Sequence, residues 1–486
     1  MRKLLPLCIV FTIILFIGCK YDTYSLDDSP DTGLARVVVE TEEALLTKID
    51  YIDASAGFFA KDALTTNVFN NDTELASGFD IRLRGNTTNT GTKRPYNLKF
   101  PEKIVASSLF SDLTYTNYKT YETFKTEDND NEEVTIKRVA LLANALEASM
   151  MRNDICFAMM GDNLGAGTPP LNFQWTVNHE FVDLYINNEY KGTYLMTDAT
   201  KNITKFLDFN KKFDKSGFFL SIDSHYDEDP KFRTTLYNIP VMPKWPEADD
   251  FKNIPKTSLK EGTNDTLSDT AYAEQISRFK KALEDKEEVL LNSGSWNDIK
   301  EAFDIDSFAK FWLIVNIAGT SDPGNPSSVY FYQFKDSDDE KLYCGPGWDF
   351  DMFTFLTPSS GLYLVNDWYY KTFMEYDEFR LVLQNYWFQL RNFGTIKYRY
   401  EADGYEANTD DYDVSEARNF VKDVADYIDA KKEIIRKSWN ANGKLYDNRI
   451  TALNGQFQTI DGHAYALEQF LYDRAEVLDT LIGNLI

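Results

Sequence analysis

The stretch FWLIVNIAGTSDPGNPSSVYFYQFKDSDDEKLYCGPGWDFDMFT, residues 311–354, constrains the fold more than any other part of the chain. Its apolar run Phe311–Ala318 completes a helix predicted over Asp306–Ala318, with Asp306 placed to cap it. The polar loop Gly319–Ser328 carries one acid, Asp322, and a short aromatic strand is predicted over Val329–Phe334. After an acidic turn, Leu342–Phe350 leads to Asp349 and Asp351. Residues two apart point the same way if the chain is extended, so both carboxylates would share a face while Trp348 and Phe350 enter the core. A pair of acids at a strand end thus has a third acid on a nearby loop.

Carboxylates held in a fixed frame suit a hard divalent cation, Mg²⁺ or Mn²⁺, together with phosphate oxygens. Phosphoryl transfer needs that cation and an acid or base that orients the nucleophile. The same residues also read as a turn cap at Asp322 and two solvated acids after a strand, because Asp is frequent in turns.

Elsewhere the pattern mixes strands and helices, an α+β chain that becomes mainly helical beyond residue 355. Strands are predicted at Val37–Thr41, Phe79–Arg84 and Tyr96–Phe100, the last two joined by the turn Gly85–Pro95, whose backbone N–H groups could cover phosphates. Leu45–Phe59 reads as a helix followed by a turn. Ala140–Met160 reads as strand end, turn and helix, with Ile155–Met160 burying one face. Phe181–Ile186 and Thr193–Met196 form a hairpin over Asn187–Gly192. Residues 109–136 and the proline-bearing 226–265 read as loop, the latter with small strands, and Ala271–Leu291 as an amphipathic helix. Apolar residues recur at helical spacing over Phe379–Leu390, Asp413–Ser438 and Ala464–Ile482. The stripe Phe420, Val424, Tyr427, Ile428, Ile434 and Ile435 is expected in the core.

The stretches IRLRGNTT (81–88), KRPYNLKF (93–100), LLANALEASMMRNDICFAMM (141–160), VDLYINNEYKGTYLMTD (182–198) and GPGWDFD (345–351) resemble, in order, the spore-coat-protein-H (CotH) kinase family. That family comprises secreted, atypical protein kinases, similar in architecture to protein kinases but without their standard motifs. The resemblance implies an atypical protein-kinase-like fold over residues 35–355, with a helical part, 356–486, packed on it. It implies ATP with Mg²⁺ or Mn²⁺ as cofactors and a protein hydroxyl as acceptor. Asp322 would then orient the acceptor hydroxyl, and Asp349 and Asp351 would bind metal. A lysine of the second strand would hold the phosphates, Lys93 or Lys99, with Lys99 preferred because its strand position fixes its direction. Arg152 matches the family's arginine in the 152–160 helix. Asp198 stands where the family usually has Glu and would serve the cofactor with a shorter reach. Ser221 stands where Glu is common, leaving Asp223 as the nearest acid. These departures leave open a catalytically degenerate binding or assembly protein on the same fold, its acids holding a structural Ca²⁺ or no ion.

The 486 residues are 43% hydrophobic and 15% aromatic, enough for a large core and against global disorder. A formal charge of −26 offers no positive field for nucleic acid, which is excluded as a partner. Arg2 and Lys3 precede the apolar run Leu4–Ile17, and Phe16-Ile17-Gly18-Cys19 resembles a bacterial lipobox. Residues 1–19 are therefore expected to be a lipoprotein signal with Cys19 as the lipid anchor, and 20–34 an acidic tether. The chain is expected in the cell envelope, at the outer membrane and exposed at its surface. Cys156 and Cys344 make neither a disulfide framework nor a zinc site; they read as buried thiols or one bridge. His179, His225 and His463 lack HExxH spacing, and neither a GxSxG elbow nor a Walker loop is present. His225 lies near Asp223 in sequence and reads as a surface histidine.

Overall fold

The computed structural model describes residues 32–43, 46–47, 51–59, 75–85, 91–105, 110, 135–161, 164, 171, 173–206, 217–226, 230–246, 267–333, 340–356, 359–391, 398–401, 404–407, 420–446 and 459–486. The signal-like start with Cys19, residues 20–31 of the tether, residues 86–90 of the first strand turn and most of 109–136 lie outside the described residues. Thr32 and Leu34, at the end of the expected tether, are already buried in the fold.

The architecture is α+β. Seven strands close a barrel in the order β1-β2-β3-β4-β5-β7-β6: β1 Ala35–Thr41, β2 Ile52–Phe59, β3 Leu75–Leu83, β4 Tyr96–Val105, β5 Thr135–Leu142, β6 His179–Ile186 and β7 Glu189–Asp198. Every neighbouring pair is antiparallel except β1 with β6, which closes the ring in parallel. The register sets Val37 against Leu184, Ile81 against Leu98 and Leu98 against Val139, so one face of each strand is apolar and buried. Of the helix and turn expected over 45–59, residues 52–59 are instead strand β2, paired with β1 on one side and β3 on the other, while residues 45 and 48–50 lie outside the described residues. The β6–β7 turn places Asn187 and Asn188 at φ 52° and 64°, the left-handed region that asparagine tolerates best after glycine.

A second sheet runs β12-β11-β8-β10-β9, with β8 Phe218–Ile222, β9 Phe232–Arg233, β10 Pro240–Trp245, β11 Val329–Gln333 and β12 Tyr343–Cys344. Helix α1, Arg152–Met160, packs against β6 of the barrel and is buried on every side rather than on one face. Helices α2 Leu267–Asn292, α3 Trp296–Ala302 and α4 Ile305–Ala318 precede β11. The cap of α4 is Asp304, whose side chain accepts the Ser307 N–H, and not Asp306, which falls inside the first turn.

After β12 come α5 Trp368–Phe373, α6 Asp377–Arg391, the hairpin β13 Tyr398–Glu401 and β14 Gly404–Ala407, then α7 Phe420–Tyr446 and α8 Ile460–Gly483. Phe420, Val424, Ile428 and Ile435 of α7 are buried as expected, but Ile434 is 39% exposed, because its neighbour Ile435 takes the inward position. The helical part is fastened to the rest by polar contacts as well as packing. Trp439 Nε1 donates to the Ala148 carbonyl at 2.8 Å, and the buried Arg474 donates to the carbonyls of Asn316 and Gly361 at 2.8 and 3.0 Å. Cys156 and Cys344 are buried free thiols. Among the described residues no helix is long and apolar enough to cross a membrane.

Candidate functional site

Four loops meet here, one following a barrel strand and three bordering strands of the second sheet. Asp322 opens a 3₁₀ turn, Asp322–Gly324, just after α4. Ser328, at φ 54°, precedes β11, and Asp223 follows β8. Arg84 follows β3, and Asp349 and Asp351 follow β12.

The chain is not extended at the acid pair. Strand pairing stops at Cys344, and Asp349 takes φ 67°, so simple alternation fails. Trp348 and Phe350 enter the core as expected and flank Phe157 of α1, with ring centroids 5.4 and 6.4 Å away. Asp349 keeps access to solvent, whereas Asp351 is buried. The preceding glycines permit this path. A Cβ on Gly347 would stand 2.7 Å from the Phe350 ring and 2.9 Å from Met160 Sδ, and Gly345 has φ 117°.

Two residues at the start of α1 grip the loop by its backbone. Asn153 Oδ1 accepts the Phe350 N–H at 2.8 Å, and Arg152 Nη1 donates to the Asp351 carbonyl at 3.0 Å. Asn153 is oriented in turn by Asn144, to whose Oδ1 it donates at 3.0 Å. Glu147 accepts the Arg152 N–H at 3.1 Å, covering an otherwise orphaned donor of the first helical turn, and lies 3.9 Å from Arg152 Nε.

Electrostatics tie these residues together. Burial raises the Asp349 carboxyl, opposed first by the charge of Arg84 and then by the Ser328 hydroxyl, which donates to it at 3.3 Å. Asp351 is pushed well above the carboxylate range by burial, then by the charges of Asp349 and Glu147, with Arg152 opposing. Asp351, the buried member of the pair, is the carboxyl whose protonated form this excess of negative charge favours. Asp322 is raised to about 6 by burial, then by Asp349 and Asp223, with His225 opposing. Arg84 is lowered by burial, while Tyr330, Asp349 and Asp351 raise it, and its guanidinium stands 5.1 Å from the centre of the Trp348 ring. Tyr330, raised to about 12 chiefly by burial, lies directly across the β8–β11 ladder from Ser221.

The other expected residues fall elsewhere. Lys99 does not face the acids: on β4 it pairs with Asp80, its cross-strand partner, at 2.8 Å, with its ammonium over Tyr51. Lys93 is buried and donates to the Thr193 carbonyl of β7, with Tyr194 and Tyr446 beside it. Burial lowers it to about 7, against the pull of Glu147 and Asp183, so Glu147 stands electrostatically between Lys93 and Arg152. Asp198 is fully buried and accepts from Asn178 N at 3.1 Å, Asn178 Nδ2 at 2.6 Å and Asn202 Nδ2 at 3.2 Å. Its carboxylate is thereby consumed in closing the end of the barrel. The cation that faces the acids is Arg84, a residue within IRLRGNTT not singled out from sequence. Arginine at the end of an alternating strand, just before Gly85, was the available signal. Asn153 and Ser328 carried no comparable signal, because their roles depend on backbone groups far away in the chain.

Among the described residues no three His, Cys, Asp or Glu side chains stand close enough to cage a metal by themselves. The open recess of about 870 Å³ lined by Glu375, Tyr376, Gln384, Phe388 and Ile486 shares no residue with this cluster. No curated protein matches the chain. The family described as CotH kinase protein matches residues 81–478, which include every site residue above and most of the helical part. The chain belongs to the CotH kinase family.

Proposed function

We propose that the protein transfers the terminal phosphoryl group of ATP to a protein hydroxyl, on an atypical protein-kinase-like scaffold. The observation that carries this reading is the meeting of Asp322, Asp349 and Asp223 with Arg84 from distant parts of the chain: Ser328 joins Asp223 through its N–H and Asp349 through its hydroxyl, Arg84 stands over Trp348 beside Asp349, and the charges of Asp349 and Asp223 both raise the Asp322 carboxyl. Asp349 and Asp351 fit a Mg²⁺ or Mn²⁺ ion of the kind that keeps waters and takes substrate phosphates as its remaining ligands. A Ca²⁺ cage calls for six to eight oxygens, and two carboxylates fall short of it. Such a cation, when bound, would neutralise the phosphate charge. Arg84 binds phosphate oxygens with a planar fork of donors, the role first expected of Lys99. Asn153 and Arg152 hold the 349–351 backbone, and Asp322 serves the acceptor side.

The chain would be anchored through Cys19 at the outer membrane and face an extracytoplasmic acceptor. Incorporation of labelled palmitate, lost in Cys19→Ala, tests this part.

Purified protein titrated with ATP and Mg²⁺ in a thermal-shift assay, followed by labelled-phosphate transfer, tests the main reading. The expected result is nucleotide- and Mg²⁺-dependent stabilisation that Asp349→Ala abolishes; stabilisation by Ca²⁺ alone, with none from nucleotide, contradicts it. One observation favours a second reading, a binding or assembly protein on the same scaffold. The carboxylate of Asp198 is fully engaged by Asn178 and Asn202 and is not available to a cofactor. Nucleotide binding without transfer to any acceptor would select that second reading.

A further inference from the structure

Of the three histidines, His179 and His463 are buried, while the His225 side chain is 51% exposed. It is nonetheless fixed. Asp223 Oδ1 accepts both the His225 backbone N–H, at 2.9 Å, and Nδ1, at 3.0 Å. A carboxylate can only accept, so Nδ1 carries a proton, and in the neutral ring it is Nε2 that holds the lone pair. The loop beneath is pinned as well: Ser224 N donates to the Pro326 carbonyl at 2.6 Å, and Ser224 Oγ lies 3.0 Å from Ser327 Oγ. Asp223 Oδ2 accepts the Ser328 N–H at 3.4 Å, and the same serine donates its hydroxyl to Asp349. One residue thus holds the His–Asp pair and the metal-side acid on its two arms. Among the described residues, the charged groups near His225 include Asp223 and Asp322, with Asp349 beyond Ser328 and Arg84 beside Asp349, and Lys231 and Arg233 stand over the ring of the adjacent Tyr226.

We propose that His225, held in one tautomer by Asp223, is the base that takes the proton of the acceptor hydroxyl. This deepens the phosphoryl-transfer reading above and rests on it. The hydroxyl O–H bond breaks and its proton goes to Nε2. The oxygen forms its bond to the terminal phosphorus of ATP, and the bond from that phosphorus to the leaving diphosphate breaks with its electron pair on the diphosphate. The imidazolium then loses its proton to water, which its exposed edge reaches. Asp223 positions the ring, and Asp322 stabilises the imidazolium while it lasts.

The test uses the full chain with Mg²⁺ and γ-labelled ATP, with the chain itself and dephosphorylated casein as acceptors, from pH 5.5 to 9. His225→Ala is expected to lower transfer by ~100-fold, within the span ordinary for a general base, and to abolish the acid limb of the pH–rate profile. Added imidazole is expected to restore part of the rate, which a purely structural loss would not allow. Stabilisation by Mg²⁺ and a non-hydrolysable ATP analogue should stay at the wild-type level. Asp223→Asn is expected to lower the rate while keeping that stabilisation. A His225→Ala variant with wild-type rate and pH profile overturns the proposal and leaves the phosphoryl-transfer reading intact. A wild-type protein that binds nucleotide and transfers nothing overturns this proposal together with the phosphoryl-transfer reading, in favour of the binding protein, and one that binds no nucleotide removes the nucleotide site as well.

Discussion

Asn153 Oδ1 and the backbone N–H of Phe350 meet at 2.8 Å across 197 positions of sequence. This bond joins the first turn of α1 to the loop whose side chains form the acid pair, so the geometry of Asp349 and Asp351 is inherited from a helix terminus. Asn153→Leu, close in shape, leaves the buried Phe350 N–H without its acceptor, a loss of about 1–3 kcal/mol. The expected outcome is a melting temperature lower by a few degrees and Mg²⁺–nucleotide affinity reduced by more than that stability change alone would cause. Calorimetry and titration on the same preparation separate the two.

Arg84 bears on both acids of the pair. Arg84→Gln removes the positive charge opposing the rise of Asp349, so that carboxyl should protonate at higher pH than in the wild type. Nucleotide affinity is expected to fall by at least ~10-fold, the lower range for losing a charge-assisted contact to phosphate. Arg84→Lys should recover only part of it, since a lysine lacks the planar fork. Isothermal titration with a non-hydrolysable ATP analogue and Mg²⁺ measures both.

Much of this fold was legible in sequence, and the failures have physical causes. The β3 and β4 strands, the β6–β7 hairpin and the long helices announce themselves through period two, turn asparagines or period 3.6. The shared region of Asp322 and Asp349 was legible because only one short strand and a turn separate them. Lys99 misled because strand position fixes direction but not which side of the sheet meets the ligand; Asp80 opposite it in register settles its direction. The pointing of Asp349 and Asp351 could not be read, because one left-handed residue breaks the alternation on which that reading depends. Asn153, Arg84 and Ser328 act through groups distant in the chain, which local patterns do not encode.

The raised Asp351 carboxyl gives a pH signature with a definite sign. Its folded-state pKa lies above the unfolded value, so the native state holds the proton longer and stability declines as pH rises above the ordinary carboxylate range. Mg²⁺ must displace that proton, so its affinity should weaken as pH falls and its binding should release protons. Titrations in buffers of different ionisation enthalpy report the release, which Asp351→Asn should diminish.

Lys93 carries the opposite sign. Its folded pKa, about 7, lies below the ordinary lysine value of 10.5, so stability should rise between about pH 7 and 10.5 as the unfolded chain alone holds the proton. Lys93→Met removes this dependence. The stability difference between variant and wild type should move in the variant's favour as pH falls from 10.5 to 7, by about 4–5 kcal/mol, and change little below that. Denaturant unfolding at several pH values measures it.

The most direct single measurement is the binding of a non-hydrolysable ATP analogue with and without Mg²⁺, followed by isothermal titration for the wild type and for Asp349→Asn. The expected result is one site per chain that requires Mg²⁺ and is lost in the variant. Equal binding by both proteins, or none by the wild type at millimolar analogue, would contradict the placing of metal and nucleotide among Asp349, Asp351 and Arg84.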